Sequence, residues 1–244
     1  MDLSCSKSTE ACFHVFQRSV EQLGFDSVAY SSIPIQLSII NHPPPTFLAS
    51  STFNGNFLTH YSEAGLDKHD FTIKRILEGD TSIASWRHEE LNERLLQNEA
   101  KLVQLAREDY GIKNALSIPT LSSKHHISGV SVTSEESDKN FKFLIDERGE
   151  TLQAITRIFH DRVYSNIDFR KYFYSDLINS LTSDEKKVLS FIASGKPLKL
   201  SKEVCGISQS YAGNIRSSLF YKFQVNNAAE LIFLISNHRI LEMI

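Results

Sequence analysis

The chain has 244 residues, 41% hydrophobic and 23% charged, an ordinary globular composition long enough for two compact domains. No run approaches the roughly 20 apolar residues of a membrane span, and Met1-Asp2-Leu3-Ser4-Cys5-Ser6 lacks the basic and apolar regions of a signal peptide. Three cysteines, Cys5, Cys12 and Cys205, have no metal-like spacing, so a cytoplasmic protein with reduced thiols and no membrane partner is expected.

In chain order, Ala11-Cys12-Phe13, Val15-Phe16, Val20 and Leu23-Gly24 form an amphipathic helix pattern with a glycine stop. Residues 25–33 have the aromatic and β-branched content of a strand, and Pro43-Pro44-Pro45 mark a loop or edge. Helices are expected over residues 54–64 and 68–78. A long charged helix follows over 89–109, its charges a solvated face, and stops at Gly111. Two strand-like runs, 115–121 and 127–133, flank Lys124-His125-His126, read as a polar hairpin turn, and 141–164 is helical again. Helices, a sheet and more helices imply an α-β-α sandwich over residues 1–165. Residues 166–179 read as a linker.

The last 65 residues form a second domain, 180–244. Leu181-Thr182-Ser183-Asp184-Glu185 is a capping box, with Thr182 as N-cap and Glu185 three residues on. The helix it starts carries Val188, Leu189, Phe191 and Ile192 and ends at Gly195. A short helix over 198–205, the turn Gly206-Ile207-Ser208 and a third helix to Phe223 give the order of a helix-turn-helix. Leu181, Thr182, Glu185, Val188, Leu189, Ala193, Gly195, Gly206, Ile207, Ser208, Lys222 and Val225 resemble the LuxR-type helix-turn-helix over about sixty residues, with Phe223 where that family has leucine. The fold class expected is therefore α+β, an α-β-α sandwich followed by an all-α four-helix domain.

Departures fall where that family touches DNA. Tyr211-Ala212-Gly213 stands in place of Thr-Val-Lys, Lys199-Leu200-Ser201-Lys202 in place of Lys-Glu-Ile-Ala, and Gly213 within a helix costs about 1 kcal/mol relative to Ala. Gln209, Ser210, Tyr211, Asn214 and Ser217 are candidates for DNA contact, Gln209 and Asn214 for adenine edges, and Lys199, Lys202, Arg216 and Lys222 for phosphates. The bland alternative is an exposed helix that only supports the fold. Residues 1–180 hold 18 Lys+Arg and 24 Asp+Glu, a balance of −6, and residues 181–244 hold 8 and 5, a balance of +3. That basic end suits a phosphate-contacting domain, although an ordinary solvated surface explains it about as well. The final run, Ala228 to Ile235, is apolar nearly all round and is expected to be buried, partly against a second subunit of a homodimer.

Before the linker, Tyr61 followed nine residues later by Asp70, then Trp86, Tyr110-Gly111-Ile112, Ile118-Pro119 and Gly129-Val130-Ser131 resemble the autoinducer-binding domain found upstream of the same helix-turn-helix in quorum-sensing receptors. The resemblance implies that a tyrosine and a tryptophan donate to the carbonyls of an acyl-homoserine lactone, that an aspartate accepts its amide N–H, and that a second tryptophan packs on its ring. Matched by spacing, the two donors fall at Phe53 and Phe57, the aspartate at Asp70 and the packing tryptophan at Trp86. Phe71 replaces a proline and Ala115 a glycine; Tyr61 and Ser131 complete the ligand set. Two enclosed carbonyls without donors would each cost about 1–3 kcal/mol, so a standard lactone is not the expected ligand.

Open alternatives are that Phe53, Phe57, Tyr61 and Trp86 are a filled aromatic core, and that Asp70 is a surface or capping carboxylate. A buried Asp70 needs a partner, either a ligand donor or a protein group such as Tyr61. Asp67, His69 and Asp70 on one helix do not converge on a metal. No Ser/His/Asp, Cys/His or phosphate-loop arrangement is visible, so neither an enzyme nor a cofactor is expected. The chain reads as a DNA-binding regulator with a small-molecule ligand, or alternatively as an interaction protein that pairs with another regulator and binds DNA poorly.

Overall fold

The structure, a computed structural model, describes residues 8–34, 45–122 and 126–244. It mixes helix and sheet and divides into two compact units, one ending at Phe169 and one running from Arg170 to Ile244. Pro43 and Pro44 of the expected loop and Lys124 and His125 of the expected hairpin turn lie outside the described residues.

In the first unit, Ser8 Oγ accepts from Ala11 N–H to open helix α1 (Thr9–Gln22), and Gly24, at φ 96°, turns the chain out of it. Strand β1 (Ser27–Pro34) pairs antiparallel with β2 (Thr46–Ala49), Tyr30 opposite Leu48. The sequence pattern missed β2, because four residues directly after prolines carry too little alternation. Helix α2 (Gly55–Glu63) is capped by Asn54, whose amide also donates to Tyr110 O at 2.8 Å.

The helix expected over 68–78 is two pieces, a 3-10 turn at Leu66–His69 and α3 (Phe71–Leu77). Asp70 breaks it: its backbone is extended (φ −81°, ψ 110°) and its carboxylate accepts from Thr72 N–H, a capping geometry that competes with helix continuation. After the short β3 (Ala84–Ser85), the long charged helix expected over 89–109 is likewise broken, into α4 (Trp86–Leu91) and α5 (Gln97–Glu108), with Glu93 at φ 54° between them.

The charges there are not all a solvated face. Glu89 and Glu99 are buried, Glu89 taking Arg75 at 2.7 Å and Glu99 taking Leu96 N–H at 2.7 Å and Lys74 at 3.6 Å. These contacts join α3, α4 and α5, an arrangement that helical periodicity alone does not encode.

Strands β4 (Asn114–Ser122) and β5 (His126–Ser134) complete a five-stranded sheet of order β2-β1-β5-β4-β3. The β4–β5 register shifts between Pro119 and Leu121. Proline has no N–H for the ladder, and a bulge accommodates that loss. A Cβ at Gly129, opposite it, would lie 3.3 Å from the backbone oxygen of Ile118, a tight contact. Helix α6 (Asp138–Ser165) follows.

Successive strand residues point to opposite faces, and each face has its own core. Tyr30 and Phe16 meet Phe159 of α6, Phe16 stacked at 4.4 Å and Tyr30 edge-on at 5.2 Å, and Tyr30 Oη pairs with His160 Nδ1 at 2.9 Å. Ala29, one residue before Tyr30, belongs instead to the cluster of Phe53, Phe57, Tyr61, Phe71, Trp86, Leu102 and Ala115. His126, read as part of a polar turn, begins β5, is buried, and pairs through Nε2 with Ser32 Oγ.

The stretch 166–179, expected as a linker, carries α7 (Ile167–Phe173) and most of α8 (Ser175–Ser180). In the second unit, Arg170 donates to His238 O at 3.0 Å and Tyr174 Oη pairs with His238 Nδ1 at 3.0 Å, tying this stretch to the chain's end. Helices α9 (Ser183–Ala193), α10 (Ser201–Cys205), α11 (Gln209–Phe223) and α12 (Ala228–Asn237) follow. Thr182 and Glu185 form the expected capping box, Gly206 takes φ 76°, and Ser208 caps α11. Leu231, Leu234 and Ile235 of α12 are buried, whereas Phe233 is 57% exposed. Among the described residues no helix is long and apolar enough to cross a membrane.

Candidate functional site

Between α2, α3, α4 and the sheet lies a cavity of about 60 Å³, lined by Phe47, Phe53, Phe57, Tyr61, Asp70, Trp86 and Ser131 among others. An engineered cavity of about 150 Å³ holds benzene, so this one takes only a few heavy atoms unless side chains move. The aromatic residues fill most of the space themselves. Phe57 is 2% exposed and meets Tyr61, Trp86 and Tyr110 at ring-centroid distances of 5.9, 6.4 and 5.5 Å. The cluster is a packed aromatic core with a residual cavity at its centre.

Asp70 is the polar centre of the wall, 8% exposed. Oδ2 accepts from Tyr61 O–H at 2.8 Å, and Oδ1 accepts from Thr72 N–H at 2.8 Å and Thr72 O–H at 2.6 Å. Asp70 is thus a capping carboxylate and a cavity wall at once, with Tyr61 as the protein partner its burial requires. Burial pushes its carboxyl above the ordinary 3.8, with the bonds from Thr72 and Tyr61 pulling the other way. The Tyr61 hydroxyl is pushed well above 10 by burial and by the adjacent Asp70.

Trp86 donates Nε1–H to Ser117 Oγ at 2.8 Å, and Ser117 Oγ lies 3.4 Å from Ser131 Oγ. Indole nitrogen can only donate, so Ser117 must accept there and directs its own proton onward. Phe71 and Ala115 are buried in the same cluster, Phe71 with Arg75 over its ring at 5.3 Å. The sequence reading missed Thr72 and Ser117. Thr72 was detectable as a hydroxyl two residues after an aspartate, a capping spacing; Ser117 joins the site only because β4 sets it opposite Ser131.

The residues named for DNA lie in the second unit. Gln209, Ser210, Tyr211, Asn214 and Ser217 are exposed on α11, Tyr211 by 51%, and Lys199 and Lys202 are exposed before it. Arg216 is half-buried, its guanidinium 5.9 Å from the Phe220 ring centroid. Lys222 Nζ donates to Ser180 O at 2.9 Å and to both Glu185 oxygens at 2.9 and 3.0 Å. Gly213 is not demanded by crowding, since a Cβ would touch only Leu198 Cδ2 at an ordinary 3.6 Å. Among the described residues no group of three His, Cys, Asp or Glu side chains is placed to hold a metal.

The geometry sets an expectation for lactones. Phe53 and Phe57 offer no donor, and the space is short of a long acyl chain. Thermal melts with a panel of acyl-homoserine lactones are expected to show little shift, whereas a true ligand at 100 times its dissociation constant adds about 2.7 kcal/mol. A large saturable shift with any natural lactone contradicts this.

A family model described as autoinducer binding domain matches residues 8–163. Among solved structures the chain is similar to Escherichia coli SdiA, with 12% identity, a TM-score of 0.47, and coverage of 98% of this chain and 94% of that one. It is also similar to SdiA in complex with octanoyl-rac-glycerol, with 12% identity, a TM-score of 0.48, and coverage of 96% and 90%. A third is CepR2 from Burkholderia cenocepacia, an N-acylhomoserine lactone dependent LuxR family transcription factor, with 14% identity, a TM-score of 0.47, and coverage of 63% and 85%. No curated protein matches the chain.

Proposed function

The chain belongs to the autoinducer-binding domain family of LuxR-type quorum-sensing regulators, and on that premise we propose that it is a DNA-binding transcriptional regulator sensing a small apolar molecule other than a standard acyl-homoserine lactone. In this reading residues 1–165 are an α-β-α sandwich sensor, 166–179 connect, and 180–244 are a LuxR-type helix-turn-helix acting on DNA in the cytoplasm as a homodimer. It is a binding protein, not an enzyme. The observation that carries the sensor is a buried carboxylate in an aromatic cavity whose family donor positions are Phe53 and Phe57. What supports DNA binding is the order α10, Gly206, Ser208 N-cap and α11, with Gln209, Tyr211 and Asn214 exposed. Ligand binding acts by population shift and so requires different affinities for two arrangements of the dimer.

A second reading, a regulator that pairs with another regulator and binds DNA poorly, is favoured by the cations of α11. Lys222 is engaged by Glu185 and Ser180, and Arg216 lies against Phe220. A gel shift at two salt concentrations separates the readings. Retention that weakens steeply with salt is expected from phosphate contacts, and no retention at either salt leaves the pairing protein.

A further inference from the structure

We propose that the ligand of this cavity carries an ammonium group: a small primary or N-methylated amine, its cation beside Asp70 and its carbon atoms against the aromatic walls. The proposal rests on the reading of the cavity as the signal site and names the chemistry of that signal.

The first observation is the charge balance of the wall. Asp70 is buried, and its hydrogen-bond partners Tyr61 O–H, Thr72 N–H and Thr72 O–H are all neutral. Of the basic side chains on neighbouring elements, Arg75 and Arg94 pair with Glu89 and Lys74 with Glu99, and Lys68 and His69 are exposed. A buried carboxylate without a cation is costly, and one that meets a cation in a low-dielectric site gains strongly. Oδ2 accepts from the Tyr61 hydroxyl, and each carboxylate oxygen can accept more than one hydrogen bond.

Second, the walls around that carboxylate are aromatic. Phe47, Phe53, Phe57, Tyr61 and Trp86 line the cavity. Their rings stand at steep angles to one another, Phe47 to Tyr61 at 81°, Phe57 to Tyr61 at 58° and Phe57 to Trp86 at 61°. Rings in several planes line a small volume, and an ammonium that reaches a ring face there is attracted by its quadrupole.

Third, the Asp70 carboxylate can only accept, and the hydroxyls of Ser31, Ser128 and Ser131 that also line the cavity can accept as well as donate. A carbonyl ligand finds no donor at Phe53 or Phe57, whereas an ammonium has only donors to offer and meets the Asp70 carboxylate and the Tyr61 oxygen. Finally, the cavity of about 60 Å³ suits a headgroup of a few heavy atoms better than an acylated lactone ring.

The chain's single tryptophan, Trp86, lines this cavity, so intrinsic fluorescence of the full-length protein reads the site directly. The titrants are n-propylammonium chloride and tetramethylammonium chloride, with n-butanol, N-butanoyl-homoserine lactone and sodium chloride of matched ionic strength as comparators. A saturable change with at least one amine, absent with sodium chloride, is expected. Asp70→Asn should weaken it about tenfold or more. Phe57→Leu, which keeps the carboxylate and removes one ring, should weaken it about threefold, and this second variant carries the test if Asp70→Asn fails to fold by circular dichroism. No saturable response to either amine, equal affinity for n-butanol, or unchanged affinity in the folded variants overturns the proposal. If the amines fail while butanol or the lactone saturates the signal, the ammonium is wrong and the sensing role stands; if nothing saturates it, both fall.

Discussion

Lowering the pH from about 6.5 to about 4 is expected to destabilise the first unit by about 3 kcal/mol through His160 alone. His160 is buried beneath Tyr30 and Tyr164, and burial lowers its pKa from 6.5 to about 4, against a small opposing pull from Asp161. The folded state refuses a proton that the unfolded chain accepts below 6.5. Stability is therefore complete above 6.5, falls as the pH drops toward 4, and loses nothing further from this group below that. Urea midpoints of wild type and His160→Gln across this range decide the matter. The glutamine keeps a partner for the Tyr30 hydroxyl and does not titrate, so its profile should be flatter by about the stated amount. Parallel profiles would show that His160 takes up its proton as readily in the folded chain as in the unfolded one.

Replacing Lys222 by alanine is expected to cost the second unit about 1–3 kcal/mol while leaving the salt dependence of any DNA binding unchanged. Glu185 is buried beneath it, and its capping bonds to Thr182 do not neutralise its charge. Burial alone would raise the Glu185 carboxyl; the Thr182 N–H and the Lys222 ammonium outweigh it and hold the group below its ordinary 4.5. A depressed carboxylate contributes stability above 4.5 that disappears as the pH falls through the folded value, so Lys222→Ala should also flatten the acid limb of the melt. The comparison is Arg216→Ala, which removes a cation that lies against the Phe220 ring and that no carboxylate among the described residues pairs. If instead Lys222→Ala leaves the melting temperature alone and lowers the salt slope by about one, Lys222 is a phosphate contact and the Glu185 pair yields to DNA.

Short-range signals carried most of what was legible. Thr182 and Glu185, Gly195, Gly206 and Ser208 each act within about four residues, so the starts and stops of α9 and α11 could be read before any tertiary contact was known. The α1 stop at Gly24 and the alternation of β4 and β5 were local in the same sense. Even the Tyr61 to Asp70 pair was within reach, because a buried aspartate nine residues from a tyrosine needs a donor and the tyrosine supplies one.

Tertiary structure decided the rest, and for one reason: burial and long-range pairing cannot be summed from neighbours in sequence. Helical periodicity ran through Asp70 and through Glu93, but the Asp70 carboxylate caps α3, and Glu93 adopts a positive φ between α4 and α5. The charges of 89–109 looked solvated until Glu89 met Arg75. Ser117 entered the site through strand register, and Lys222, a phosphate candidate by sequence, pairs with a glutamate 37 positions earlier. Composition named the aromatic residues of the first unit, yet only their packing determined how little space they leave beside the Asp70 carboxylate.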